Sequence, residues 1–146
     1  MRILVINGPN LNMLGIREPD LYGRTTYTQL EEYIRSEAFK LGLETEIMQS
    51  NHEGVIIDKI QEAYKKINGI VINPGGYTFT SIAILDALKA VSIPTVEVHI
   101  SDLKLREEFR HHSYIAPVCI ATVMGEGIPG YQHALRLLKE YQTGVH

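Results

Sequence analysis

Short apolar runs alternate with segments of helical periodicity along the whole chain, and this alternation limits the fold more than any other feature of the sequence. Residues 3–6 are continuously apolar, the pattern of a strand covered on both faces. Leu30, Ile34, Ala38 and Leu41 follow at helical spacing, and Gly42 stops that helix. Two capping boxes are legal at its start, Thr28 with Glu31 and Thr26 with Gln29. Residues 43–49 read as a second strand. Val55, Ile56, Ile60 and Ala63 mark a second helix, ended by Asn68 and Gly69. Residues 70–72 form a third, buried strand, followed by a helix carrying Ile82, Leu85 and Leu88, with Asp86 on another face. Pro94 opens a fourth strand containing the β-branched Thr95, Val96 and Val98. Residues 118–123 form the fifth. GEGIPG then leads into a last helix with Tyr131, Ala134, Leu135 and Leu138 on its apolar side, and the final residues, QTGVH, are expected to fray.

Strands alternating with helices five times, without internal repeat or linker, argue for a parallel sheet covered on both sides. At 146 residues the expectation is a single domain spanning 1–146 with the α/β, flavodoxin-like, doubly wound five-stranded sheet in three α/β/α layers. Ligands of such sheets sit beyond the carboxyl ends of the strands. The exits from the first four strands, NGPN, SNHEG, NPGGYT and HISD, are all polar or glycine-rich. The stretch from Asn7 to Gly23 is long for a structureless loop and carries Asn10, Asn12, Arg17, Asp20 and Tyr22, with Arg24 just beyond.

A net charge of −3 without a basic block gives no footprint for nucleic acid. No apolar stretch approaches membrane-spanning length, and MRILVING is too short for a signal peptide. The single Cys119 lies in the apolar run VCIATVM, which reads as inert core, excludes an internal disulfide and fits a reducing compartment. The expected location is cytoplasmic.

The fourth strand's exit collects the most chemistry. Glu97 and His99 are two apart and point to one face of a strand. A carboxylate beside an imidazole can fix its tautomer and keep it charged, as a general acid requires. Ser101 and Asp102 can cap a short following helix, LKLREEF, which would place Arg106 and Arg110 on one side and turn its first N–H groups toward the same space. The competing reading is a buried histidine satisfied by Glu97 beside a solvated charged helix. A metal held by His99 and Glu97 would need a third ligand from His52, His111 or His112, none at a recognised spacing. There is no Walker A lysine motif, no G-x-S-x-G elbow, and Asn73 stands where a phosphorelay receiver needs aspartate.

Acid–base chemistry on a small anionic or hydroxylated molecule remains, and it needs a base. Tyr22 lies near Arg17 and Arg24 in sequence. A tyrosine titrates near ~10, so a useful phenolate needs stabilising by roughly 3–4 kcal/mol. One guanidinium at ~5 Å and an effective dielectric near 20 supplies about 3 kcal/mol. Packing of the ring on its own loop is the alternative role for Tyr22.

Taken together, ING-PNLN-LG, REP-x-x-YGR, QSNHEG, NPGGYT-x-TS, EVHIS, REEFRHHSY and G-x-G-x-x-GY make the chain resemble type II 3-dehydroquinate dehydratase from the first strand to the last helix. The resemblance implies reversible dehydration of 3-dehydroquinate to 3-dehydroshikimate in the shikimate pathway, through an enolate, without metal or cofactor. It implies Tyr22 as base, Arg17 as its activator, Asn10 as the residue that steadies the enolate through a water, and His99 as acid oriented by Glu97. Substrate binding carries over to Asn73, to the backbone of Ile100 and Ser101, and to Arg110, with Arg106 as a lid-closing arginine. Asp86 corresponds to a position that reaches a neighbouring subunit's site, and the implied assembly is a homododecamer, a tetramer of trimers. One residue departs from the family pattern: Phe79 occupies a position where a histidine usually donates to the substrate, which predicts weaker binding with acid and base intact. Two other readings stand beside the lyase: a flavodoxin-like module holding FMN or another phosphate, and a non-catalytic multimeric relative.

Overall fold

Strands β1 (Arg2–Asn7), β2 (Glu44–Gln49), β3 (Gly69–Asn73), β4 (Thr95–His99) and β5 (Ala121–Met124) form one sheet in the order β2-β1-β3-β4-β5. The computed structural model describes residues 1–144. All four strand pairings are parallel, with β1 in register with both β2 and β3. The helices are the single turn α1 (Pro19–Tyr22), α2 (Tyr27–Lys40), α3 (Glu53–Glu62), α4 (Ile82–Val91) and α5 (Pro129–Thr143). The order is that of a flavodoxin-like doubly wound sheet. It reverses between β1 and β3, and this reversal opens a crevice at their carboxyl ends.

Period-two alternation divides the core. Ile3 and Val5 of β1, Val71 of β3, and Val96 and Val98 of β4 pack with Leu30 and Ile34 of α2 and Leu135 and Leu138 of α5. On the other face Leu4, Ile6, Ile70 and Ile72 pack with Ile56 and Ile60 of α3 and Ile84 and Leu88 of α4. In β4 this second face carries Thr95, Glu97 and His99 instead of apolar residues, all buried. The polar stripe of the candidate site is therefore built into the central sheet.

Thr26 and Gln29 form the capping box that starts α2: Gln29 N–H donates to Thr26 Oγ1 and Thr26 N–H to Gln29 Oε1. Of the two boxes open in the sequence, this one is used. Helix α3 stops at Glu62, before the expected Asn68 and Gly69. Gly69 instead opens β3, because a Cβ there would come within 3.0 Å of Ile3 and 3.1 Å of Leu138. Val55 and Ile82 are exposed, and the buried positions of their helices are Ile56, Ile60 and Ile84, Ala87, Leu88, Val91. Pro94 precedes β4 and its carbonyl accepts from Ile70 N–H. Val118 closes a 3₁₀ turn, Ala116–Val118, so β5 begins at Ala121 and Cys119 lies just ahead of it. Burial pushes the Cys119 thiol up to about 12, and the Glu97 charge adds to the shift.

The expected helix over LKLREEF is absent. Two separate 3₁₀ turns, Leu103–Leu105 and Glu108–Arg110, are split by extended backbone at Arg106. Leu103 is the one buried apolar anchor of the segment, while Leu105 and Phe109 are exposed, so no apolar stripe holds a continuous helix there. Arg106 and Arg110 consequently do not share a helix side. The long loop after β1 is also ordered, through a 3₁₀ turn at Leu11–Met13 pinned by buried Leu11 and Leu14, and through α1. At the chain's end Gln142 and Thr143 belong to α5, and the expectation of fraying at Val145 and His146 lies outside the described residues. No helix among the described residues is long and apolar enough to cross a membrane.

Gly8 sets the width of the crevice. Its N–H donates to Asn73 O, and a Cβ on it would run into the Pro74 carbonyl, so the β1 and β3 exits pack backbone to backbone. Gly8→Ala is expected to cost about 2–3 kcal/mol through overpacking. Gly54→Ala, in the first turn of α3 with nothing within 4 Å of the new methyl, should gain up to about 1 kcal/mol. Urea midpoints compare the two, and an unchanged midpoint for Gly8→Ala would show that the two exits can separate.

Candidate active site

A cleft opens where β1, β3 and β4 end. The loop after β1 contributes Leu11, Arg17 and Tyr22; the β3 exit contributes Asn73, Gly75, Gly76 and Phe79; the β4 exit contributes His99, Ile100, Ser101, Leu103, Arg106 and Arg110. The cleft is narrow, with about 40 Å³ of free room between these side chains. The β2 exit does not line it. Asn51 instead braces the rim, its side-chain oxygen accepting from Asn10 N–H at 3.1 Å and its carbonyl from the Tyr77 hydroxyl at 2.7 Å.

Glu97 is 0% exposed and His99 5%. His99 Nε2 is hydrogen-bonded to Glu97 Oε2. The second carboxylate oxygen accepts from Ser113 Oγ at 3.0 Å and Thr122 Oγ1 at 3.4 Å. A buried carboxylate needs several donors to offset its lost hydration, and these three come from β4, from the loop after Arg110 and from β5. With Nε2 engaged by Glu97, Nδ1 is the ring nitrogen left for the cleft. Sequence reasoning missed Ser113 and Thr122. Thr122 is the register partner of Glu97 in β5, and a buried acid in a central strand is itself a signal to look for hydroxyls on its neighbours.

Across the cleft the half-buried Tyr22 meets two guanidinium groups. Arg106 Nη1 donates to the Tyr22 hydroxyl at 2.9 Å and to Ser101 Oγ at 3.1 Å. Arg17 lies over the ring, its Cζ 4.8 Å from the centroid. The arginine at the phenol oxygen is therefore Arg106, and Arg17 touches the face of the ring. Arg24, near Tyr22 in sequence, does not line the cleft. Arg110 Nε pairs with Glu107 at 2.6 Å, and its Cζ lies 5.6 Å from the Phe79 centroid and 5.2 Å from that of Phe109.

Asn73 is buried at the cleft floor. Its Oδ1 accepts from Gly75 N–H at 3.2 Å and its Nδ2 donates to the Tyr131 hydroxyl at 3.1 Å. Tyr131, expected simply as core, joins Asn73 to the buried Asn7. Asp102 does cap the turn after β4, but by taking Lys104 N–H at 3.0 Å, which uses one of the amides expected to face the cleft. Asn10 and Asp86 do not line the cleft. Asn10 is exposed in a left-handed conformation at φ 70°, and Asp86 lies on the exposed side of α4. No group of three histidine, cysteine, aspartate or glutamate side chains is gathered for a metal among the described residues.

The arrangement faces an imidazole backed by a buried carboxylate toward a tyrosine hydroxyl held by a guanidinium, with further cations around them. Such a cleft can move protons on a small anion. Comparison with known proteins agrees in extent as well as in kind. The family model for dehydroquinase class II matches residues 1–139. The 3-dehydroquinate dehydratase of Caldicellulosiruptor saccharolyticus is 59% identical over 140 residues, covering 95% of this chain and 97% of that protein. That of Clostridium acetobutylicum is 56% identical over 139 residues, covering 95% and 96%. The crystal structure of type II dehydroquinase from Butyrivibrio crossotus superimposes with a TM-score of 0.94 at 55% identity, covering 95% of this chain and 97% of that one. The type II dehydroquinase from Propionibacterium acnes gives a TM-score of 0.91 at 42% identity, covering 94% of each chain. With the matched span, residues 1–139, taking in every strand and the whole of the cleft, the chain belongs to the class II dehydroquinase family.

Proposed function

We propose that this protein is a 3-dehydroquinate dehydratase that removes water from 3-dehydroquinate to give 3-dehydroshikimate in the shikimate pathway. The observation that carries the reading is the facing of two proton-transfer groups across one small cleft: Tyr22 against Arg106, and His99 against Glu97. Tyr22, as phenolate, takes the proton next to the ketone, and the electron pair becomes an enolate. Arg106 stabilises the phenolate oxygen directly, and Arg17 contributes from the ring face. His99 then gives a proton to the departing hydroxyl as the enolate collapses, so one proton and one hydroxide leave as water. Glu97 faces the imidazolium this step requires. Ile100, Ser101 and Arg110 hold the carboxylate and ring hydroxyls, with Asn73 at the floor. Asn10 lies outside the cleft lining, so its role on the enolate is indirect, through water.

Every proton in these steps passes between the substrate and one of the chain's own side chains, so the reading includes no metal or cofactor. It also includes a single domain over 1–146, a cytoplasmic location, and a homododecamer, a tetramer of trimers, in which the exposed Asp86 serves a neighbouring subunit's site.

Chelator-treated protein mixed with 3-dehydroquinate should give a steady rise in the ultraviolet absorbance of the conjugated enone. Tyr22→Phe and His99→Ala should each lower kcat by about 10²–10⁴. Tyr22→Phe should still bind a dehydroquinate-like acid by calorimetry, because it keeps the ring that Arg17 covers. Absence of any rise in a protein that binds that acid would overturn the catalytic reading and favour a binding protein. Phe79→His places a donor where the cleft wall is now apolar, and KM should fall about tenfold or more. An unchanged KM would mean that Arg110, stacked on Phe79, already serves that part of the ligand.

A further inference from the structure

The G-x-G-x-x-GY motif ends on Tyr131, a residue for which the proposed reaction has no role. Tyr131 is fully buried and stands between two buried asparagines at the ends of β1 and β3. The direction of every bond in this network follows from one group that can only donate. Gly75 N–H donates to Asn73 Oδ1, which leaves Nδ2 as the atom facing Tyr131. Tyr131 must then accept from Asn73, and its own hydrogen goes to Asn7 Oδ1 at 2.7 Å. That commits the Asn7 amide, whose Nδ2 donates to the Tyr27 hydroxyl at 3.4 Å. Burial pushes the Tyr131 hydroxyl upward in pKa, so it remains a neutral donor throughout the working range.

We propose that Tyr131 is a positioning residue for ligand recognition: committed as a donor to Asn7, it accepts from Asn73 and holds the Asn73 amide in one polarity at the floor of the cleft. The two pins on Asn73, Gly75 N–H on its oxygen and Tyr131 on its nitrogen, prevent the amide from flipping. Asn73 therefore meets a bound acid with its donor and acceptor in fixed places. Gly130 brings the start of α5 close enough for this, with the Val123 side chain 3.3 Å from where its Cβ would stand. The proposal rests on the reading that Asn73 contacts the substrate.

The test is the split between KM and kcat at a temperature well below unfolding. Tyr131→Phe should raise KM for 3-dehydroquinate about tenfold while kcat stays within about twofold, because acid and base are untouched. Tyr27→Phe, which cuts the network beyond Asn7, should leave KM unchanged. Asn73→Ala tests the underlying reading: a KM equal to that of the unaltered protein would remove Asn73 from the substrate site. If Asn73→Ala raises KM and Tyr131→Phe does not, the positioning role is overturned while the substrate contact stands. If Tyr131→Phe fails to fold, Asn7→Ala replaces it. That variant keeps the Tyr131 ring, removes the acceptor that commits its hydroxyl, and should also raise KM; an unchanged KM there overturns the proposal.

Discussion

The Glu97 carboxylate, buried in the middle of a parallel sheet, is the constraint to which the rest of this structure answers. Removing one partner from a buried charge typically costs about 3–5 kcal/mol, so its surroundings must supply donors in fixed places. The supply comes from three directions: His99 on the same strand face, Thr122 by register on β5, and Ser113 from the loop that returns over that face. Ser113 is held in turn, since its oxygen also accepts from Ala116 N–H at 3.2 Å at the start of the 3₁₀ turn Ala116–Val118. The irregular path between β4 and β5 thus has a physical reason. A regular helix there would offer an apolar stripe to a strip of sheet that is not apolar.

A second buried polar system lies one strand away, and its logic is complementary. The Asn7–Tyr131–Asn73 chain carries no charge, yet every member is committed as donor or acceptor. Together the two systems fix the ends of β1, β3 and β4, the three strands whose exits line the cleft. Gly8 and Gly75 let the first two of these exits touch, Gly75 at φ 60° with Pro9 O 2.9 Å from where its Cβ would stand. Gly75 of the NPGGYT exit thus serves to pack one backbone on another.

The sheet and its helices were legible in the sequence because their signals are local. Continuous apolar strands, the 3.6-residue spacing of Leu30, Ile34 and Ala38, and the capping box each report burial within one element. The Glu97–His99 pair was legible for the same reason, being two apart on one strand. What the sequence did not show depends on contacts between distant segments. Gly69 looked like a helix stop because its reason, Leu138 of α5, lies far along the chain. Arg106 and Arg110 looked like one helical face because four-residue spacing implies one only where a helix exists, and the segment has a single buried anchor. Ser113, Thr122 and Tyr131 were present as letters of motifs or of an apolar run, but their partners are 16, 25 and 58 residues away.

The same distinction separates the two halves of the proposed chemistry. His99 and Glu97 are built on a central strand, where the imidazole is packed and bonded to a carboxylate that Ser113 and Thr122 hold in turn. Tyr22 sits on a single helical turn in the loop after β1, anchored through Leu11 and Leu14, and its hydroxyl meets Arg106 from a segment 84 residues away. A phenolate is costly wherever a guanidinium is not beside it, because about 3 kcal/mol of its stabilisation comes from that proximity. In the proposed reaction the base is therefore assembled only when the loop after β1 and the turn after β4 are both in place, whereas the acid is positioned by its own strand. Arg106 also donates to Ser101, so the group that activates the base is tied to the residue proposed to hold the substrate's carboxylate. A ligand anion at Ser101 would then meet the same guanidinium that holds Tyr22, so the substrate's carboxylate and the base share one group.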